Sequence, residues 1–330
     1  MKKGSEVLYI TKQEVMDLNI TMTEVLGLLD ICFKEKGNGN VEMPAKIGIH
    51  TNPPNDLMHA MPAWFKKLNI AGIKWIAGYS ENIKYGLPTI TGLQILNDCE
   101  TGVPYAIMDC AWLTSIRTGG VSGLTAKYLA NPDSEIVGNI GCGVQGRTNL
   151  EAIVTAMPNI KKAYAYDVYP EYAEKYVKEM SEKLGIEVVK VSTPKEAVVN
   201  ADILSTAGPV ILEKDIGVIE KGWLKKGCTV TAVDFDHQFK RGVIKEEATL
   251  ITTDDINQFT NFWAVPGVIK DLPKNPVLMQ DIVIGNHPGR ESRNQIIFTC
   301  NIGLGLEDLI VADAIYKRAV ERGIGRILPL

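Results

Sequence analysis

The chain has 330 residues, of which 45% are hydrophobic and 22% are charged. A chain of this length predicts about two domains of roughly 150 residues each, and the composition excludes a largely disordered or fibrous protein. The formal net charge of −4 gives no positive field of the kind that attracts nucleic acid. No apolar run approaches the roughly 20 residues of a membrane span. We therefore expect a cytoplasmic protein without nucleic-acid or membrane partners.

Six cysteines are spread along the chain without a C-x-x-C pair or a regular spacing. Disulfide frameworks and zinc sites show such spacings, so no metal site is predicted. We expect buried thiols in a reducing compartment. The basic start of the chain is followed by an apolar run that is too short for a signal peptide.

The first part of the chain predicts helices followed by an antiparallel sheet. Thr11 and Thr21 each precede a glutamate by three residues, which is the capping-box spacing of a helix N-terminus. From about residue 44 to 112, short apolar runs are cut by turn residues, as is typical of strands. A helix rich in small residues is predicted over 113–130, and Asn131-Pro132 ends it.

Further along the chain, predicted strands alternate with helices, which indicates a doubly wound parallel sheet of the Rossmann type. The last predicted helix ends at Gly323, and we expect it to return to the first domain. The fold class is thus α/β, with one domain over 126–304 and an α+β domain over 1–125 together with 305–330. The alternating segments are strands at 135–141, 162–167, 187–191, 203–206 and 229–233, and helices at 144–156, 170–184 and 306–322.

A glycine loop lies between the first of these strands and the first helix. Its sequence is Gly141-Cys142-Gly143-Val144-Gln145-Gly146, and Asp167 ends the next strand. Glycines allow backbone N–H groups to approach a pyrophosphate, and the acid accepts from the adenosine ribose. A strand-to-helix turn without a ligand is the alternative. Val168 and Tyr169 follow the acid in place of an arginine or serine that could hold a 2′-phosphate, so NAD is predicted and NADP is disfavoured.

Several motifs, taken together and in this order, resemble the ornithine cyclodeaminase/mu-crystallin family over about residues 40–315. The resemblance implies a homodimer in which 126–304 is the Rossmann domain, while 1–125 with 305–330 supplies the substrate and dimer contacts. The motifs are Met58-His59-Ala60-Met61-Pro62, Gly72-Ile73-Lys74-Trp75, Gly86-Leu87-Pro88-Thr89-Ile90-Thr91-Gly92, Asp98-Cys99-Glu100-Thr101-Gly102-Val103-Pro104, Leu113-Thr114-Ser115-Ile116-Arg117-Thr118, the glycine loop, Pro288-Gly289-Arg290 and Gly303-Leu304-Gly305-Leu306-Glu307-Asp308.

The resemblance also implies roles for basic residues. Lys46, Lys74 and Arg117 correspond to the family's substrate-carboxylate site, where charge-assisted donors hold an anion, and Lys74 is also counted as catalytic. Each has a plainer alternative: a surface position for Lys46, a buried ion pair for Lys74, and contacts to helix ends or to the dimer mate for Arg117.

A catalytic aspartate and cofactor contacts are implied in the same way. The family's acid/base aspartate corresponds to Asp236; Asp234, two residues earlier, and a purely structural turn are the alternatives. Thr89, Thr206, Ala207 and Asn301 correspond to positions near the cofactor. For Thr89 an ordinary strand position is the alternative, and for Thr206 and Ala207 a simple tight turn is.

The activity implied by the resemblance is NAD-dependent hydride transfer at the Cα of a small amino or imino acid, by an amino-acid dehydrogenase or an imine reductase. An ornithine cyclodeaminase, which forms proline and ammonia with catalytic NAD, is the first alternative. A mu-crystallin-like cofactor-dependent binding protein is the second.

One position bears on the choice between these activities. His59 stands where the family's ornithine cyclodeaminases carry a glutamate that handles the distal ammonium of the substrate, and a histidine is a poorer counter-charge. Glu42 and Glu81 are possible substitutes, and a packed strand residue is the plainer interpretation of His59. We therefore expect that ornithine is not the best substrate.

Overall fold

The computed structural model describes residues 2–51, 56–211, 216–265 and 267–330. The chain divides into two compact units: unit 1 is Met1–Arg117 with Gly303–Leu330, and unit 2 is Thr118–Ile302. The sequence suggests boundaries at 125 and 304, a few residues later at both places. No helix among the described residues is long and apolar enough to cross a membrane.

Helices and strands follow one another along the described residues. In order they are β1 (Glu6–Ile10), α1 (Lys12–Asp17), α2 (Met22–Gly37), β2 (Val41–Glu42), β3 (Ile47–Ile49), β4 (Asp56–Phe65), β5 (Ile70–Tyr79), a 3₁₀ helix (Ser80–Tyr85), β6 (Ile90–Asn97), β7 (Pro104–Asp109), α3 (Ala111–Leu129), β8 (Ile136–Ile140), α4 (Val144–Ala156), β9 (Lys162–Tyr166), α5 (Pro170–Leu184), β10 (Glu187–Lys190), α6 (Pro194–Val198), β11 (Ile203–Thr206), β12 (Thr229–Ala232), α7 (Val243–Glu247), β13 (Leu250–Thr253), α8 (Ile256–Trp263), β14 (Val277–Leu278), α9 (Met279–Val283), β15 (Ile297–Cys300), α10 (Gly305–Arg322) and β16 (Arg326–Pro329).

Unit 1 is built on a mixed sheet with the strand order β16-β1-β7-β6-β5-β4-β2, and β3 also pairs with β4. Neighbouring strands from β4 to β7 are antiparallel, which confirms that prediction for this stretch. The parallel pairing of β1 with β7 was not predicted. Helix α10 packs on β4, β5 and β6, so the C-terminal helix covers one face of this sheet.

Both predicted capping boxes begin helices of unit 1. In the second, the Thr21 hydroxyl accepts from the Glu24 N–H at 3.3 Å, and the Glu24 carboxylate accepts from the Thr21 N–H at 2.8 Å. Two backbone donors that the helix leaves unpaired are thereby satisfied. Local sequence therefore fixes where α1 and α2 begin.

Unit 2 contains a sheet of parallel strands in the order β10-β9-β8-β11-β12-β15-β13-β14. This confirms the predicted doubly wound α/β class. The chain leaves β8 first to one side and later returns to the other, so β8 and β11 flank the switch point where such sheets bind ligands. The sequence analysis did not predict β13, β14 and β15 or the short helices α6 to α9.

The interior of unit 2 holds two apolar clusters. One includes Ile140 and Leu204, and the other includes Val137 and Ile203. Adjacent residues of a strand point to opposite faces of a sheet, so the two clusters cover its two faces. All six cysteines are free and five are buried, but Cys99 is partly exposed, contrary to the expectation for every thiol.

Candidate active site

The residues predicted for the site fall into two groups, one in each unit. The glycine loop, Asp167, Thr206, Ala207, Asp236 and Asn301 belong to unit 2, and Lys46, His59, Lys74, Thr89 and Arg117 belong to unit 1. Each group is built by its own sheet and helices.

The three glycines of the loop have different surroundings. Gly141 has a φ of +96°, and a Cβ there would lie 2.5 Å from the Ala207 carbonyl oxygen; a Cβ on Gly146 would overlap the Gly141 carbonyl oxygen. A Cβ on Gly143 would have no described atom within 4 Å. The first and third glycines are thus required by contacts within the protein. The second leaves open backbone, as a dinucleotide pyrophosphate requires.

Helix α4 begins directly after this loop. Its N-cap is Gly143, which supplies no side-chain hydrogen bond to the first turn. The first N–H groups of a helix carry partial positive charge and bind anions. The N-terminus of α4 therefore has donors available for a phosphate.

Asp167 and Arg147 hold the loop in shape. The Asp167 carboxylate accepts from the Cys142 N–H at 2.7 Å and from the Tyr169 N–H at 3.0 Å. The Arg147 guanidinium donates to the carbonyl oxygens of Cys142 and Gly143 and to Glu179. Sequence reasoning missed Arg147, because its position one residue after the motif gives no signal of these contacts.

Asn301 follows β15 and is buried. Its Nδ2 lies 3.2 Å from the Thr231 hydroxyl and 3.4 Å from the Thr125 hydroxyl. Its Oδ1 has no hydrogen-bond partner among the described residues. A buried acceptor of this kind suits an amide donor. The uncapped helix, the open side of Gly143 and this acceptor all fit NAD, whose nicotinamide carries a carboxamide.

Asp236 is buried, and its carboxylate is engaged by backbone. It accepts from the Lys270 N–H at 2.9 and 3.1 Å and from the Asp271 N–H at 2.7 Å. Burial raises the pKa of Asp236, and these backbone hydrogen bonds oppose the rise. Such contacts are those of an anchor for the segment at 270–271, so the acid/base role of Asp236 stays a prediction.

Thr89 lies in unit 1, before β6, where its carbonyl oxygen accepts from the Tyr79 N–H at 2.8 Å. The cofactor contact of Thr89 therefore stays a prediction.

Glu42 lies on β2 opposite Trp64, and the exposed Glu81 pairs with Lys84.

Unit 1 holds a buried ion network. Lys74 is 1% exposed, and its Nζ lies 2.5 Å from Asp308. Arg117 donates from Nε to Asp308 at 2.8 Å and from Nη1 to Glu307 at 3.0 Å. Burial lowers the pKa of Lys74, and the Asp308 charge opposes this. Lys74 thus forms a buried ion pair, and Arg117 contacts a helix end. These are the plainer alternatives to a substrate-carboxylate role for the two residues.

The elements around this network explain its position. Glu307 and Asp308 lie in the first turn of α10, where the helix dipole favours negative charge. Lys74 lies on β5, and Gly72, two residues earlier, faces Leu309 of α10. Since alternate residues of a strand share a face, the lysine points towards the acidic turn of the helix.

Lys46 and His59 lie beside this network. The Lys46 Nζ is 3.4 Å from the Gly303 carbonyl oxygen, and His59 is half-buried on β4. Burial, together with the charges of Lys46, His50 and Lys74, lowers the pKa of His59 to about 4. His59 is therefore neutral at pH 7, and the structure brings together all four residues predicted for the substrate side.

The model of the ornithine cyclodeaminase/mu-crystallin family matches residues 6–323. The chain belongs to this family. This confirms the resemblance found in the sequence motifs.

Relatives and solved structures of the family match along the full chain. Alanine dehydrogenase of Archaeoglobus fulgidus is 32% identical over 327 residues, which cover 97% of each chain. The structure of Thermococcus litoralis Δ1-pyrroline-2-carboxylate reductase, in complex with NADH and L-proline, has a TM-score of 0.87 and 32% identity, covering 97% of this chain and 99% of that one. An archaeal alanine dehydrogenase dimer with bound NAD has a TM-score of 0.87 and 32% identity, covering 98% and 99%.

Two glycine substitutions test the loop as a cofactor site. Gly143→Ala should leave the Tm unchanged, because its Cβ meets no described atom, but should weaken NADH binding by about tenfold or more, because the pyrophosphate loses its close approach to the backbone. Gly146→Ala should weaken NADH binding and also lower the Tm, because its Cβ overlaps the Gly141 carbonyl oxygen. Thermal unfolding and NADH fluorescence titration measure the two effects. Unchanged NADH affinity in Gly143→Ala would contradict this role.

Proposed function

We propose that this protein is an NAD-dependent oxidoreductase that transfers a hydride between the nicotinamide and the Cα of a small amino or imino acid. The observation that carries the proposal is that one chain combines an open-sided glycine loop at a helix N-terminus with a buried ion network that contains Lys74 and Arg117 and has Lys46 beside it. The loop suits a dinucleotide, and the cations suit a carboxylate. Relatives named as alanine dehydrogenase and Δ1-pyrroline-2-carboxylate reductase support this class of reaction.

NAD, when bound, supplies the hydride acceptor or donor. Asp167 favours NAD over NADP, because its carboxylate, directly after β9, would repel a 2′-phosphate. Asn301 offers an acceptor for the carboxamide through its Oδ1. The six free cysteines suit the reducing cytoplasm, where we propose that the enzyme works.

On the substrate side, Lys46 and Arg117 would hold the carboxylate and so orient Cα. Lys74 is the group that we propose moves a proton at the substrate nitrogen. Burial lowers the pKa of Lys74 and so eases release of a proton from Nζ, while Asp308 at 2.5 Å stabilises the charged form. Lys74 would thereby release and regain a proton while its Nζ stays within hydrogen-bond distance of Asp308.

The charges of unit 1 favour net redox chemistry over cyclodeamination. Glu307 and Asp308 already accept from Arg117 and Lys74. His59 is neutral at pH 7 and offers no counter-charge to a distal ammonium. A substrate with an uncharged side chain therefore fits better than ornithine.

A turnover screen at pH 7 tests the function. NADH should be oxidised with Δ1-pyrroline-2-carboxylate or with a 2-oxo acid plus ammonia, and NADPH should be the poorer cofactor. The readouts are absorbance of the reduced cofactor and, for ornithine, release of ammonia with catalytic NAD. Proline and ammonia formed from ornithine faster than any redox turnover would restore the cyclodeaminase alternative. Tight NADH binding without turnover of any substrate would support a binding protein.

The carboxylate site is tested by variants of its basic residues. Lys46→Ala should keep the fold and raise the substrate KM by about tenfold, because one charge-assisted donor is lost. Arg117→Ala should lower the free energy of unfolding by about 3–5 kcal/mol, because the buried carboxylates of Glu307 and Asp308 each lose a charged hydrogen-bond donor. Arg117→Lys should lower the free energy of unfolding by less. Steady-state kinetics and chemical denaturation measure these effects.

Lys12→Ala, which removes an exposed lysine of α1, is the matched control. An unchanged KM in Lys46→Ala would remove Lys46 from the site.

We also propose that the enzyme is a homodimer formed through the face of the unit 1 sheet opposite α10. Ile47, Ala60, Trp75 and Leu93 pair across β3, β4, β5 and β6 in one row. Ile47 is 72% exposed and Trp75 is 42% exposed. Exposed apolar patches of this kind mark protein interfaces, and the archaeal alanine dehydrogenase relative is described as a dimer.

Trp75→Arg should halve the mass measured by light scattering after gel filtration, because it introduces a charge into the centre of this row. Val320→Arg, at an exposed position of α10, is the matched control and should leave the mass unchanged. A monomeric wild type, or a Trp75→Arg variant of unchanged mass, would contradict the interface.

A further inference from the structure

The carboxylate of Asp234, two residues beyond β12, accepts two hydrogen bonds from the segment that follows β11. Asp234 is 1% exposed. Its Oδ1 accepts from the Thr206 hydroxyl at 2.7 Å, and its Oδ2 accepts from the Gly208 N–H at 2.8 Å. Both carboxylate oxygens of Asp234 thus accept hydrogen bonds from one short segment, Thr206–Gly208, at the end of the neighbouring strand β11.

The segment Thr206–Gly208 supports the glycine loop. Ala207 lies between the two anchor residues, and its carbonyl oxygen is the atom that a Cβ on Gly141 would approach to 2.5 Å. The Ala207 N–H also donates to the Ile140 carbonyl oxygen at 2.9 Å. A displacement of Ala207 would therefore change the space that Gly141 occupies at the switch point of the sheet.

The turn that presents Asp234 is itself strained. Phe235 has a φ of +58°, which is rare for a bulky residue and costs free energy. Its ring packs 5.4 Å from that of Phe262, and Asp236 on its other side is anchored to the Lys270 and Asp271 N–H groups. The surrounding contacts thus maintain a backbone that directs the Asp234 carboxylate to the β11 loop.

We propose that Asp234 is a positioning residue for the dinucleotide, which fixes Thr206–Gly208 against the glycine loop and so sets cofactor affinity without taking part in proton transfer. The inference rests on the proposed NAD-dependent function. The carboxylate can act in this way when charged or neutral, since the Thr206 hydroxyl can either donate or accept. Burial raises the pKa of Asp234 to about 7, so both forms exist near neutrality.

The test compares Asp234→Ala with Asp234→Asn. Alanine removes both hydrogen bonds and should raise the Kd for NADH by about tenfold to a hundredfold. Asparagine can keep both, because its Oδ1 accepts from the Gly208 N–H and its Nδ2 donates to the Thr206 hydroxyl. Its NADH affinity and kcat should stay within about twofold of wild type, whereas an acid/base residue would lose on the order of 10²-fold or more in kcat.

Thr206→Val removes one of the two hydrogen bonds and keeps the proposal testable if Asp234→Ala does not fold. Thr252→Val is its matched control, because that buried hydroxyl bonds Thr299 on the neighbouring strand at 2.8 Å. Weaker NADH binding in Thr206→Val but not in Thr252→Val is expected. Wild-type NADH affinity in Thr206→Val, or in a folded Asp234→Ala, would overturn the inference, as would loss of kcat in Asp234→Asn. Absence of NADH binding by the wild type would instead refute the proposed function.

Discussion

Charged side chains that leave water must find partners, and in this protein those partners come from distant parts of the chain. Lys74 of β5 meets Asp308 of α10, and Arg117 of α3 meets both Glu307 and Asp308. Breaking a buried pair by removing one member typically costs about 3–5 kcal/mol. These contacts therefore fix the first turn of α10 to the sheet of unit 1, and they hold Lys74 and Arg117 in place in the candidate site.

The same network bears on the kind of substrate that we propose for unit 1. Its carboxylates are engaged by Lys74 and Arg117, while Lys46 lies close by and His59 is uncharged near neutrality. The Lys46 charge attracts the carboxylate of a substrate, but no carboxylate of the network is left to attract a distal ammonium on its side chain. Under the proposed function, structural ion pairing and substrate recognition would be two consequences of one arrangement, so the plain interpretation of Lys74 and Arg117 does not exclude the functional one.

In unit 2 the constraint acts on backbone. The exits of β8, β11 and β12 lie side by side, because parallel strands end at the same edge of the sheet. Gly141 and Ala207 approach each other there, and Asp234 and Asp236 satisfy N–H groups of two different loops. Close backbone packing and buried carboxylates together define the shape of the candidate cofactor-binding edge, while Gly143 stays open on one side.

The sequence by itself determined the features that depend on local chemistry. Capping boxes, the glycine loop and the alternation of strands and helices predicted the starts of α1 and α2 and the doubly wound sheet, since these signals involve residues close together in the chain. Only the tertiary structure decided the partners of Lys74 and Arg117, the contacts of Arg147 and the anchoring of Asp234 and Asp236. Each of these side chains binds a segment distant in sequence, which for Arg147 is Glu179. Spacing and periodicity report only on nearby residues, so they do not show which distant donors and acceptors come within hydrogen-bond distance when the chain folds.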